Sequence, residues 1–212
     1  NIYIDNIELK NSQIEYTTYS TAGAEMGRLT LDKFNLNARN VTNNNSLITK
    51  DTEMILEADA YIMGTGFLNL NFSFPLNNNE YAHTFSGSLS GMDMADFNPI
   101  LEVVPARINE GRIDKLSFSA FATDKRSRGK LHLHYSDLKL KLKDKDTGKV
   151  GAKEDIFSFL ADKLFIRNDN PKKGGDFREG IIDFEHKKYL LLAYLQHVSK
   201  SFDCIFSILC CK

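Results

Sequence analysis

Two histidines, His132 and His134, stand two residues apart in the run Leu131-His132-Leu133-His134-Tyr135. On a strand this spacing puts both imidazoles on one face, where they could serve as two ligands of a metal ion. The sequence places no cysteine or carboxylate to complete the set, so the pair reads as solvent-face histidines and no metal site is assigned. A sharper row follows: Lys139, Lys141, Lys143 and Lys145 share one strand face, with Leu138, Leu140 and Leu142 on the other. Like charges at intervals of roughly 7 Å repel one another unless anions face them. Anionic lipid headgroups or a membrane surface would supply those anions. Protection of an exposed strand edge by lysine is the other reading.

Two further constellations have residue types that could do chemistry. The run Lys172-Lys173-Gly174-Gly175 after Asn170-Pro171 could cradle a phosphate, but the closing Gly-Lys-Ser/Thr is missing and the run reads as a flexible loop. Asp93 and Asp96 could pair as carboxylates, and N-terminal helix capping explains them better. There is no nucleophile elbow, no His-Glu-x-x-His and no glycine-rich dinucleotide fingerprint. No catalytic residue and no cofactor is assigned, and the expectation is a protein that is not an enzyme.

The elements that would carry these residues are strands. Period-2 alternation dominates the first 145 residues, most cleanly at Leu68, Leu70, Phe72, Phe74 and Leu76, with Asn69, Asn71, Ser73 and Pro75 opposite. Shorter or rougher strands are expected over 2–9, 13–19, 28–38, 54–63, 82–91, 112–123 and 129–142. The last changes phase: Leu131, Leu133 and Tyr135 are odd, Leu138, Leu140 and Leu142 even, so a β-bulge is expected near Ser136-Asp137. Turn signals at Thr21-Ala22-Gly23, Asn43-Asn44-Asn45, Gly64-Thr65-Gly66, Asn77-Asn78-Asn79 and Asp124-Lys125-Arg126 leave connections too short for parallel crossovers.

The expected fold is therefore α+β, mainly β: a curled antiparallel meander of about eight to nine strands with two amphipathic helices in the C-terminal third. The helices are expected over 154–166, with Ile156, Phe157, Leu160 and Leu164 on one stripe, and from Leu191 to Leu209. A short strand over 177–185 separates them, and one helical turn is expected within 93–101. Residues 1–152 form the sheet domain and 153–212 a helix-strand-helix cap packed on it. A sheet with one apolar face must curl, pair, be capped or hold something apolar.

Composition sets the bounds. The chain has 212 residues, 42% hydrophobic and 26% charged, which is ordinary globular composition. Its net charge of −1 excludes nucleic-acid binding by bulk electrostatics. That −1 divides as −8 over residues 1–106, +6 over 107–150 and +1 over 151–212. No run of about 18 apolar residues suggests a membrane-spanning helix. Cys204, Cys210 and Cys211 are the only cysteines, an odd number without Cys-x-x-Cys spacing, which supports neither a disulfide framework nor a zinc site. The chain opens on Asn1-Ile2-Tyr3-Ile4 without an initiator methionine or a signal peptide, and reads as the C-terminal part of a longer protein.

The stretch Phe85-Ser86-Gly87-Ser88-Leu89-Ser90-Gly91-Met92-Asp93-Met94-Ala95-Asp96-Phe97-Asn98-Pro99-Ile100-Leu101, followed by Ile108-Asn109-Glu110-Gly111-Arg112-Ile113-Asp114, resembles the C-terminal region of AsmA-like envelope proteins, particularly the large Bacteroidetes forms. The likeness continues through Gly129-Lys130-Leu131 to Tyr135-Ser136-Asp137-Leu138, then Asn168-Asp169-Asn170-Pro171 and Gly180-Ile181-Ile182-Asp183-Phe184-Glu185. The tail departs from it, with His186-Lys187-Lys188-Tyr189 leading into a leucine-rich segment where an arginine and an aromatic-rich stretch are usual.

The resemblance implies an inner-membrane anchor upstream, a periplasmic body and a role in outer-membrane biogenesis. Such proteins are similar to the repeating β-groove, bridge-like lipid-transfer proteins, whose curled sheets present an apolar trough. On that analogy Leu68, Leu70, Phe72, Phe74, Leu76, Leu116, Phe118, Leu131 and Leu133 would line a surface for a phospholipid or other acyl-chain lipid. The row Lys139, Lys141, Lys143 and Lys145 would meet headgroups. Envelope protein partners are left open. The alternative is a structural or interaction domain with a closed core, and alternation alone does not choose between trough and core.

Overall fold

The structure is a computed structural model that describes residues 1–20, 25–77, 81–104, 106–142 and 168–185, with backbone alone at 141–142. Among the described residues there are eight strands: β1 (Tyr3–Tyr19), β2 (Met26–Thr42), β3 (Glu53–Ile62), β4 (Gly66–Pro75), β5 (His83–Asp93), β6 (Ala106–Ala122), β7 (Arg126–Leu142) and β8 (Gly180–Glu185). All belong to one antiparallel sheet whose spatial order, β1 to β8, is the order of the chain.

The α+β expectation is corrected. Among the described residues the only helical turns are two four-residue 3-10 segments, Met94–Phe97 and Ile100–Val103, and the architecture is mainly β. Pro99 separates the two turns; its missing N–H and the clash of its ring with the preceding turn's carbonyl keep them from merging into an α-helix. The segments 154–166 and 191–209, where amphipathic helices were expected, lie outside the described residues. The strand expected over 177–185 is formed only from Gly180 to Glu185, and it is this piece of the C-terminal segment that supplies the sheet's last strand.

Alternation explains the packing. On β4, Leu68, Leu70 and Phe72 are buried while Asn69 and Asn71 are exposed, and the pattern repeats strand after strand. Leu29, Leu31 and Phe34 of β2, Ala58, Ala60 and Ile62 of β3, Phe85 and Leu89 of β5, Ile113, Leu116 and Phe118 of β6, and Leu131 of β7 join them in one apolar cluster. Burying each large side chain of this kind contributes about 1.5–3 kcal/mol relative to leaving it in water.

The long strands keep one face inward only because their phase is reset. β1 is continuous where two strands were expected, because Asn11 takes a left-handed φ of 48° and absorbs a residue between Leu9 and Ser12. Lys33 does the same on β2. On β7 Asp137 has φ 54° beside the register shift between Glu110↔Lys139 and Arg112↔Ser136, so the inner row passes from Leu131 and Leu133 to Leu138. The bulge expected at Ser136-Asp137 is present.

The sheet is curled. The link between β5 and β6 reaches across the inner face to β2, where Arg28 N–H donates to Pro99 O at 3.0 Å. Gly27 is a place where only glycine fits: a Cβ there would lie 2.7 Å from Ile100 O. Phe97 and Ile100 of this link are buried in the same cluster. The Asn98 carboxamide fastens the link to β6, accepting from Ile108 N–H and donating to Ile108 O, both at 2.8 Å.

Candidate functional site

The inner face is the first candidate. Of the residues assigned to a lipid-lining surface, Leu68, Leu70, Phe72, Leu116, Phe118 and Leu131 are each 8% exposed or less, while Phe74, Leu76 and Leu133 are half-buried. Leu76 lies one residue beyond β4, in the turn that donates its N–H to Thr52 O. Phe72, Phe85 and Phe118 pack ring against ring with centroids about 6 Å apart, and Gly87 between them has no Cβ because one would meet the Phe118 ring at 2.6 Å. At these residues the sheet's own side chains, with the 94–103 link, fill the space over the apolar face.

The inner row changes character at β1. Ile7, Leu9 and Ile14 stand opposite Ala38, Leu36 and Leu31 of β2 and so lie on the inner face. They are 39%, 42% and 37% exposed. The apolar lane that is buried on β2 thus becomes partly exposed at the edge of the described sheet.

The outer face of β7 is the second candidate, and it is built from charge. Arg126, Arg128, Lys130, His132 and His134 follow one another on this face, opposite the acidic residues that border or belong to β8. Arg126 grips Asp183 with two bonds of 2.5 and 2.7 Å, Lys130 reaches Glu179 at 2.9 Å, and His132 Nε2 meets Glu179 at 2.6 Å. The bond from Arg126 lowers the pKa of Asp183, with Arg128 adding to the effect. Hydrogen bonds from Lys130 and His132 lower that of Glu179. Phe177 stacks on His134 at 4.5 Å and meets His132 edge-on at 5.6 Å. The two histidines therefore lie on the outer, polar face, spent on a carboxylate and an aromatic ring, and no group of three metal-ligating side chains occurs among the described residues.

Of the lysine row only Lys139 has a described side chain. Lys139 Nζ contacts Glu110 at 2.5 Å, a bond that raises the lysine pKa and neutralises the charge locally. Lys141 has only its backbone described, and Lys143 and Lys145 lie outside the described residues. Asp93 flanks the first 3-10 turn without a capping hydrogen bond and pairs with Arg112 at 3.4 Å, while Asp96 accepts from the Thr65 hydroxyl at 2.7 Å. Asp93 does stand at the N-cap position of that turn and Asp96 within its first turn, but both carboxylates bond to neighbouring elements and neither caps a backbone N–H. The Lys172–Gly175 run is a tight turn closed by Gly175 N–H to Lys172 O at 2.8 Å, with Gly174 at φ 68°.

Beside β7 a cavity of about 370 Å³ is lined by Asp114, Lys115, His134, Ser136, Asp169 and Lys173, among others. Its wall is held by Asn170, which is buried and fully bonded. The carboxamide donates to Leu133 O and Arg178 O and accepts from Arg178 N–H, at 2.8–2.9 Å, while its backbone bridges Tyr135. Neither Asn98 nor Asn170 was singled out by spacing. The available signal was the Asn-Pro dipeptide, which each begins and which marks a turn. Glu179 and Asp183 were likewise missed, since cross-strand partners are set by register.

Neither protein-family models, nor curated proteins, nor solved structures match this chain. The AsmA-like resemblance therefore rests on the sequence motifs alone.

Proposed function

We propose that this chain is a non-enzymatic domain of an AsmA-like cell-envelope protein, and that it serves outer-membrane biogenesis by closing one end of an apolar β-groove. The carrying observation is the inner row: buried at Leu31, Ala60, Leu70, Phe85, Phe118 and Leu131, and 37–42% exposed at Ile7, Leu9 and Ile14 on β1. Where Leu68, Leu70 and Phe72 are buried against their neighbours, no space is left for an acyl chain. A phospholipid or other acyl-chain lipid would instead meet the domain along β1, where the apolar lane comes to the edge. Lys139, already paired with Glu110, contributes little headgroup attraction in this reading.

The second reading is a closed-core interaction domain that meets no lipid, supporting assembly of outer-membrane components; the burial of Leu70 and Phe118 favours it equally. Photolabelling separates the two. Vesicles containing a phospholipid with a photoreactive acyl chain are irradiated with the protein and the adducts mapped by mass spectrometry. The groove-closing reading expects adducts within 3–19; adducts concentrated in 66–75 or on Phe118 would overturn it. Absence of adducts along the whole chain selects the lipid-free domain.

A further inference from the structure

On the outer face of β1 to β4, opposite the apolar row, lies a second cavity of about 380 Å³. It is lined by Glu8, Asn35, Asn37, Glu57, Asp59 and Asn69 among others. That volume falls within the range of small-ligand cavities, about 300–1,000 Å³. Register builds the lining. Two rows cross the strands, Asn35–Asp59–Asn69 and Glu8–Asn37–Glu57, each alternating carboxamide and carboxylate.

The charges in this lining are already paired. Its cation, Lys10, is held by Glu8 at 2.5 Å, Glu57 is held by Arg39 at 3.0 Å, and Asp59 accepts from the Asn35 carboxamide at 2.8 Å. The lining thus offers no unpaired cation to an anion, and no group of three metal-ligating side chains occurs among the described residues. What remains is neutral hydrogen-bonding capacity. The Asn37 carboxamide lines the cavity with its Oδ1 buried and without a partner among the described residues. A buried polar atom left unpaired is destabilising, so packing does not account for asparagine at this position. Asn69 uses its Oδ1 to accept from Asn71 at 3.0 Å, which leaves its NH2 group for another acceptor.

Aromatic surface borders these groups. One same-face step beyond Asp59 and Asn69 stand Tyr61 and Phe67, directly opposite each other on β3 and β4. They are 37% and 40% exposed, with ring centroids 5.4 Å apart. A lone exposed aromatic is ordinary, but two that meet across a ladder on the polar side of a sheet form an apolar shelf. Lys33 lies over the Tyr61 ring at 5.5 Å, so stacking falls to Phe67.

We propose that this outer-face cavity binds a neutral oligosaccharide. The Asn37 carboxamide and the Asp59–Asn69 pair supply donors and acceptors for adjacent ring hydroxyls, and Phe67 receives the C–H face of a sugar ring. A sugar combines the three properties the lining selects: no charge, paired hydroxyls and an apolar ring face. The site lies on the other side of the sheet from Ile7, Leu9 and Ile14 and does not rest on the groove reading.

The test titrates the whole chain with maltotetraose, cellotetraose, mannotetraose and chitotetraose, reading affinity by calorimetry and location by amide resonances. At least one should bind saturably with a Kd of about 1 mM or tighter, shifting the amides of Asn37, Asp59, Phe67 and Asn69. Glycerol at the same hydroxyl concentration and the anionic tetragalacturonate should not. Phe67→Ala should weaken binding about three- to tenfold. Asn37→Leu should weaken it at least as much while the thermal midpoint holds or rises, because an apolar side chain of similar shape removes the unpaired atom. Ser119→Ala, on the same face but on β6, should change neither. No shift with any of the four sugars, shifts confined to β5–β8, or tighter binding of the galacturonate would each overturn the proposal. So would undiminished binding by Phe67→Ala or Asn37→Leu, and a lowered midpoint for Asn37→Leu would show its carboxamide to be structural and overturn it too.

Discussion

Asn98 and Asn170 each replace a stretch of strand pairing with one carboxamide, bonding a neighbouring residue's N–H and C=O at once. A buried amide that satisfies three backbone groups is costly to lose, since each group left unpaired away from water costs about 1–3 kcal/mol. Asn170→Ala should therefore destabilise the chain by roughly 2–4 kcal/mol, allowing for partial rehydration of the Arg178 groups. Urea unfolding measures this, and a change within about 0.5 kcal/mol would mean that water substitutes fully. At this scale little was legible beforehand. The Asn-Pro dipeptides announced turns, but which backbone groups a carboxamide would satisfy depends on residues 8 and 10 positions away. The histidine pair was legible as a strand face, and its partner Glu179 lies 47 residues away, visible only through register.

Among the elements, β8 is held most by charge. Because hydrogen bonds from Arg126, and from Lys130 and His132, lower the pKa of Asp183 and Glu179 respectively, these groups stabilise the folded state above the usual carboxylate range. That contribution is lost as pH falls through their depressed folded values. Acidification should therefore release β8 before the centre of the sheet. Amide resonances of Ile182 and Phe184 should fade while those of Leu70 and Leu89 persist, and simultaneous loss of all four would sink the claim. Arg126→Gln should weaken β8 already at neutral pH. Strand existence was largely legible, because alternation is a local property and β4 expresses it without interruption. The break at Asn11 was not: a left-handed asparagine inside β1 looks in sequence like the gap between two strands. The bulge at Asp137 was legible because leucines on both sides showed the change of phase.

Among the described residues the molecule is a meander in which each strand pairs with its neighbours in sequence. Its apolar cluster is continuous from β2 to β8, so the sheet has no internal seam at which one part could melt alone. Denaturant unfolding should be a single transition, with far-ultraviolet circular dichroism and tyrosine fluorescence tracing the same curve. Tyrosine is the natural probe, as the chain has 8 Tyr and no Trp. Two separated midpoints would show that β1–β2 and the rest are independent units. Curling was foreseen from the one-sided apolar pattern, but what fills the concavity was not. The link from Met94 to Val103 carries too little periodicity to reveal that it reaches past β4 and β3 to Gly27 on β2.

Sequential order also has a mechanical meaning. Both the first residues of β1 and the last of β8 lie at the same end of the strands, on opposite edges of the sheet. Tension applied between residues 1 and 185 runs across the strands and loads a single ladder of hydrogen bonds at a time. Such a sheet peels from its margins like a zip and does not resist in shear.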